Sequence, residues 1–135
     1  MFAQVEPLLI VDGANVVGSV PDGWWRDRRG AAERLRDRLA RQVDGAREGG
    51  AAVAGLPPGP VDVVLVVEGR ARGVEPVPGV RVVSAPGSGD DAIVDLAEAA
   101  QAAGRPCVVV TADRELRRRV AAHGAECAGP RAVHA

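Results

Sequence analysis

Leu8 to Val11 is an unbroken apolar run that stops at a carboxylate, Asp12. No other feature of the chain limits its possible folds as much. A run this short, with Ile and Val in it, suits a strand buried on both faces, as in a parallel sheet covered by helices. Gly13 follows and lets the backbone turn sharply. Asn15 comes two residues later. In open α/β sheets, ligands bind beyond the carboxyl ends of the strands. This stretch therefore carries an acid and an amide to the place where such folds do their chemistry. The plainer alternative is that Asp12 and Asn15 only make Asx turns after a strand.

The pattern recurs. Val61 to Val67 is a second apolar run, interrupted by Asp62 and ending in Glu68-Gly69. Val80 to Val83 is shorter and is expected near a sheet edge. Val108 to Val110, entered through Arg105-Pro106-Cys107, ends in Thr111-Ala112-Asp113, and Ala125 to Ala128 suits a fifth, short strand. Helical spacing separates these runs. Trp24, Ala31, Leu35, Leu39 and Val43 share one stripe, which predicts a helix over Trp24–Val43 capped by Asp22 and preceded by a loop from Val16 to Gly23. A second helix is expected from Asp90 to Ala103, with Ser88 and Asp91 as a capping pair. A third, basic helix runs from Arg114 to Ala122 with Leu116 and Val120 inward and Gly124 as its stop. Gly45 to Pro60 reads as a mobile loop, and Gly129 to Ala135 carries no clear signal. The order β-α-β-β-α-β-α-β predicts one domain of three-layer α/β architecture, with a central, mostly parallel sheet of four to five strands.

Charge and cysteine content exclude several functions. The 135 residues include 17 basic and 18 acidic ones, so a net charge of −1 provides no global attraction for nucleic acid or membrane. An anion-binding surface must be local. Every basic residue is arginine. The absence of lysine rules out Schiff-base chemistry, Walker A loops and receiver-domain phosphorylation. Cys107 and Cys127 lack neighbouring histidines and are expected as reduced thiols of a cytoplasmic protein rather than zinc ligands. His123 and His134 have no partner at metal-ligand spacing and read as surface residues. No signal peptide, membrane span or membrane partner is expected.

Three strands thus end in an acid, Asp12, Glu68 and Asp113, and Asp90-Asp91 opens a helix that returns from the same edge. Carboxylates so gathered repel unless something positive neutralises them. Each acid alone could be a cap, as Asp113 could be for the helix it precedes. Four acidic points at one edge point to a bound divalent cation. The donors are all oxygen, which suits Mg²⁺ or Mn²⁺. Such a site activates water in phosphodiester hydrolysis. Arg26, Arg28, Arg70, Arg72 and Arg114 flank the acids and are the candidates to hold a phosphate backbone, Arg29 lying beside them. Trp24 and Trp25 are adjacent, so one of them should face outward; an exposed Trp25 would stack a base or serve an interface.

Four motifs in this order resemble the NYN domains of the PIN-like nuclease superfamily, and most nearly the YacP-like branch. They are Leu9 to Asn15 (LIVDGAN), Val66 to Gly69 (VVEG), Gly87 to Ile93 (GSGDDAI) and Val109 to Glu115 (VVTADRE). The resemblance covers about Leu8 to Gly129. It implies a PIN-like fold and a metal-dependent endoribonuclease acting on RNA. Asp12, Asp91 and Asp113 match the metal-binding acids, with Asp90 and Glu68 in support, and Asn15 matches the motif asparagine. Asp12, Asn15, Asp91 and Asp113 are then the catalytic candidates. The chain departs from the family at Ala14, where members often carry a bulkier residue, and at Gly87-Ser88-Gly89, where the branch often has Glu-Thr-Ala. A C-terminal helix of some relatives is expected to be missing.

Rival readings stay open. A non-catalytic RNA-binding or protein-interaction module would use the acids as caps and loop anchors. A nucleotide phosphohydrolase would use the same metal edge with a closed pocket. A Toprim domain leaves Asp12 unexplained, and a dinucleotide-binding domain would need Gly-x-Gly-x-x-Gly after the first strand. A ribosome or another RNA-processing protein is a candidate to deliver the substrate, and a monomer or a homodimer is expected.

Overall fold

The computed structural model describes residues 6–47, 56 and 59–134. Its five strands are β1 (Leu8–Asp12), β2 (Asp62–Val67), β3 (Val80–Ser84), β4 (Cys107–Val110) and β5 (Glu126–Ala128). They form one sheet in the order β3-β2-β1-β4-β5, and every neighbouring pair is parallel. β3 lies at an edge, as expected, although it is as long as β1; its partly exposed residues fit that position. Four helices connect the strands: α1 (Gly13–Gly18), α2 (Arg28–Arg47), α3 (Gly89–Ala102) and α4 (Arg114–Ala121).

Two cores explain why β1, β2 and β4 are apolar along nearly their whole length. Leu9, Val11, Val63, Leu65 and Val110 pack on one face, against Val16 of α1 and Leu35, Leu39 and Val43 of α2. Leu8, Ile10, Val64 and Val109 pack on the other, against Ile93 and Ala97 of α3 and Leu116 and Val120 of α4. Successive residues of a strand point to opposite faces. With helices on both sides, neither parity can be polar.

The structure corrects several local expectations. Gly13–Gly18 is helical rather than the start of a loop, because Asp12 caps it and Val16 is fully buried. The expected helix from Trp24 is divided: Trp24–Arg26 forms a 3-10 turn, and α2 begins at Arg28. Its cap is Asp27, which accepts from the Gly30 amide at 2.9 Å, rather than Asp22. Trp24 therefore leaves the helical stripe, although Ala31, Leu35, Leu39 and Val43 all point into the core. Ser88 caps α3 by accepting from the Asp90 amide, but Asp91 does not complete a capping pair and bonds to Arg119 instead. The C-terminal stretch contains a 3-10 turn, Pro130–Val133, with Val133 buried. His134 is half-buried, with Ser19 Oγ 2.9 Å from Nε2 and Arg38 3.2 Å from Nδ1, and His123 is half-buried too. Most of the proposed mobile loop after α2 lies outside the described residues. Among the described residues no helix is long and apolar enough to cross a membrane.

Candidate active site

The strand order reverses between β1 and β4, and the crevice beyond such a reversal is where open α/β sheets bind ligands. Asp12 ends β1 at this point, only 5 % exposed. The Thr111 hydroxyl donates to its Oδ2 at 2.9 Å, and the Asn15 amide lies 3.4 Å from its Oδ1. Thr111 Oγ1 in turn accepts from the Asp113 amide at 3.2 Å. The Asn15 side-chain oxygen accepts from the Ala112 amide at 2.9 Å. The helix after β1 and the loop after β4 are thus tied together around one carboxylate.

Burial pushes the Asp12 carboxyl up to about 6, against the pull of the Thr111 and Asn15 bonds, and the charges of Asp90 and Glu68 add to the rise. Burial also raises Asp90, helped by the charges of Asp113, Glu68 and Asp91. The opposite edge of the sheet behaves differently. There Asp62 is also partly buried, but Arg81 at 2.8 Å and Arg105 at 3.2 Å more than offset the burial and hold its carboxyl below the usual range. One edge pairs its acid with arginines; the other gathers acids and leaves them mutually repelling.

The acids are not equivalent. Glu68 Oε2 accepts from the Gly89 amide at 3.0 Å, which moors α3 to the end of β2. Asp113 caps α4 by accepting from the Leu116 amide at 3.0 Å. Asp91 is exposed and bonded to Arg119 at 2.9 Å. The Asp90 carboxylate makes no hydrogen bond or ion pair with the described residues, and Asp90 is the acid of the pair whose charge is felt at Asp12. The donor chemistry suits a hard cation, and Asp12 and Asp90 are the two acids of this edge whose carboxyls are held above the usual range. Among the described residues no group of three or more acids, histidines and cysteines forms a ready-made cage.

The arginines divide in a similar way. Arg72 donates to Ala85 O at 2.7 Å and to Pro86 O at 3.1 Å, so it builds the approach to α3. Arg29 donates to the carbonyls of Arg72 and Gly73, and Arg36 to that of Glu75, stitching α2 to the segment after β2. Arg26, Arg28, Arg70 and Arg114 are exposed, and their guanidinium groups make no hydrogen bond or ion pair with the described residues. Arg26 lies over Trp25 at 5.9 Å and Arg28 over Trp24 at 5.3 Å. Trp25 is 53 % exposed, whereas Trp24 is half-buried and meets it edge-on. Beside the acids, a cleft of about 320 Å³ runs between α1, the Trp24 turn, the start of α2 and the Glu68–Arg72 segment.

Two solved structures of Rae1 (YacP) from Bacillus subtilis match this architecture. One aligns with a TM-score of 0.68 at 21 % identity, covering 92 % of this chain and 69 % of that one. The other, of a tryptophan-to-leucine mutant, has a TM-score of 0.66 at 21 % identity over 94 % of this chain and 72 % of that one. The chain has the YacP fold. No family model matches the sequence, and no curated protein matches it at the sequence level.

On this fold the most telling residue the sequence did not single out is Thr111. A threonine after a buried strand is commonplace; only the pairing of β4 with β1 brings its hydroxyl to Asp12. Arg117 was similarly silent, and it donates to Thr111 O at 2.8 Å.

Proposed function

We propose that the chain is a divalent-metal-dependent endoribonuclease. It hydrolyses RNA phosphodiester bonds at the C-terminal edge of the sheet, in the cytoplasm, with Mg²⁺ or Mn²⁺. The observation that carries this reading is the buried Asp12 at the switch point, its carboxyl raised to about 6 with the charges of Asp90 and Glu68 contributing. A cation bound there would relieve that cost. The four motifs that resemble NYN domains support the same reading. Mg²⁺ is commonly held by one or two carboxylates with waters and substrate phosphate rather than by an all-protein cage. Asp12 and Asp90 would hold it, with Asp113 and Glu68 within electrostatic reach. When bound, the ion supplies an acidified water and neutralises phosphate charge.

The rest is the work of the chain's own groups. Thr111 and Asn15 fix the rotamer of Asp12. Glu68 sets the position of α3 and hence of Asp90. Arg70 and Arg114, and Arg26 and Arg28 beside their tryptophans, face solvent and would meet the phosphate backbone. Phosphate contacts position the strand without reading its sequence.

The test is calorimetry with Mn²⁺ on the wild type and on Asp12→Asn and Asp90→Asn, with and without a short RNA. It is run beside cleavage of end-labelled single-stranded RNA in Mn²⁺ or EDTA. Metal-dependent internal cleavage, lost in both variants, is expected. RNA that binds but stays intact in every cation would replace the enzyme with a binding module. Phosphate release from free nucleotides, without RNA cleavage, would replace it with a phosphohydrolase.

A further inference from the structure

The cleft beside Asp12 has features that phosphate binding does not explain. Its walls include Val17, Ala32, Val67 and Ala71, which have nothing to offer a phosphate. Trp24 supplies an aromatic surface and Arg28 a guanidinium stacked over that indole at 5.3 Å. The volume of about 320 Å³ lies at the small end of the range for small-molecule sites, roughly 300 to 1,000 Å³. That is room for one planar heterocycle and its sugar. Ala14 lines the cleft, is exposed and adds only a methyl group to its wall.

We infer that this cleft is a nucleobase subsite, in which Trp24 and Arg28 hold one unpaired base of single-stranded RNA while the adjoining phosphate lies at the acid edge. The inference rests on the ribonuclease reading and adds to it a recognition element. Unpaired bases stack on aromatic rings and on arginine planes, and stacking of this kind tolerates any base. Position supports it as strongly as chemistry. Gly13 and Ala14 line the cleft and directly follow Asp12; Glu68 and Gly69 line it and directly follow β2. A base seated here thus has its own phosphate beside the carboxylates. Arg72 also lines the cleft but is held by the carbonyls of Ala85 and Pro86. It forms wall, and Arg28 remains the cation available to the ligand. A duplex keeps its bases in the stack and cannot enter, so the subsite selects single-stranded RNA.

The composition makes the inference easy to test. The chain has two tryptophans and no tyrosine, so Trp25→Phe leaves Trp24 as the reporter of the cleft. This variant is titrated in EDTA with a single-stranded RNA tetranucleotide, with a nucleoside monophosphate and with ribose 5-phosphate. Saturable quenching is expected from the RNA and, more weakly, from the monophosphate, but not from ribose 5-phosphate. Adding Ala14→Phe crowds the cleft and should weaken RNA binding about tenfold, in line with the loss of one stacked base. Arg28→Gln should weaken it as well, and it covers the case in which Ala14→Phe does not fold. Quenching by ribose 5-phosphate equal to that by RNA would make the cleft a phosphate site and overturn the inference. So would RNA binding, followed by anisotropy, that leaves Trp24 fluorescence unchanged, or no RNA binding at all. Cleavage is read separately. Quenching without Mn²⁺-dependent cleavage would leave the subsite and remove the nuclease. Cleavage at equal rate in the wild type and Ala14→Phe, without quenching, would do the reverse.

Discussion

The Thr111 hydroxyl donates to Asp12 Oδ2 at 2.9 Å, although the two residues are 99 positions apart in the chain. The bond spans the switch point and joins the ends of β1 and β4. Thr111→Val keeps the shape and removes the donor from a buried carboxylate. A loss of about 2 kcal/mol is expected at pH 8, since hydrogen bonds to charged groups are worth roughly 1.5–3 kcal/mol. Thr111→Ser should retain most of it. Urea unfolding of the three proteins decides this. The Asp12 carboxyl should also titrate above its wild-type value in the valine variant, because the hydroxyl is among the groups that hold it down.

Asp12 should make stability depend on pH in an unusual direction. Its carboxyl lies at about 6 in the fold, against 3.8 for an aspartate free in solution. Between those values the native state binds a proton that the unfolded chain has released. The penalty is therefore full above pH 6 and is relieved as pH falls toward 4, by about 3 kcal/mol at 1.36 kcal/mol per unit. Asp12→Asn should be more stable than the wild type at pH 8 and about equal at pH 4. Chemical denaturation at both values measures it, and equal stability at pH 8 would contradict the raised carboxyl. Mn²⁺ should stabilise the wild type at pH 8 and not the variant.

The paired acids of α3 should separate in a metal titration. Asp90→Asn removes one of the charges that lift Asp12 and should weaken Mn²⁺ binding strongly. Asp91→Asn removes an exposed partner of Arg119 and should change both metal binding and folding little. Calorimetry on the two variants side by side gives the answer. A larger loss in Asp91→Asn would reverse the assignment.

Gly13 is needed for closeness rather than for a positive φ. A Cβ there would lie 2.5 Å from Val66 O on the neighbouring strand. Gly13→Ala, otherwise a favourable helix substitution, should therefore destabilise the protein by about 1–3 kcal/mol, as overpacking does. Thermal unfolding would show a lowered midpoint; a raised one would mean that β2 yields easily.

The start of α2 offers a direct comparison. Asp27→Ala removes the acceptor of the Gly30 amide and should cost about 1 kcal/mol. Asp22→Ala, at the position that the sequence pattern favours as cap, should be close to neutral. Paired melting curves test both.

Much of the architecture was legible because its signals are local. Ile10, Val64 and Val109 sit in unbroken apolar runs, and such runs need helices on both faces. Leu35, Leu39 and Val43 repeat at helical spacing and are buried at that spacing. Strand ends were legible too, since Asp12, Glu68 and Asp113 interrupt apolar runs. The start of α2 was misplaced because Asp22 and Asp27 are equally good caps by composition. The choice between them turned on Trp24 leaving the helix to line the cleft.

The alternation of buried strands and amphipathic helices is written into the order of residues, and with it the gathering of acids at one edge. Parallel strands linked by helices must all end on the same side. Which groups meet there follows from the packing of the folded chain. That packing placed Thr111 on Asp12, faced Asp90 inward and Asp91 toward Arg119, and engaged Arg72 with carbonyls while leaving Arg28 free beside Trp24. Apolar patterning depends on neighbours within a turn or two of chain. A hydrogen bond between residues 12 and 111 depends on which strands lie side by side, and no short stretch of sequence records that.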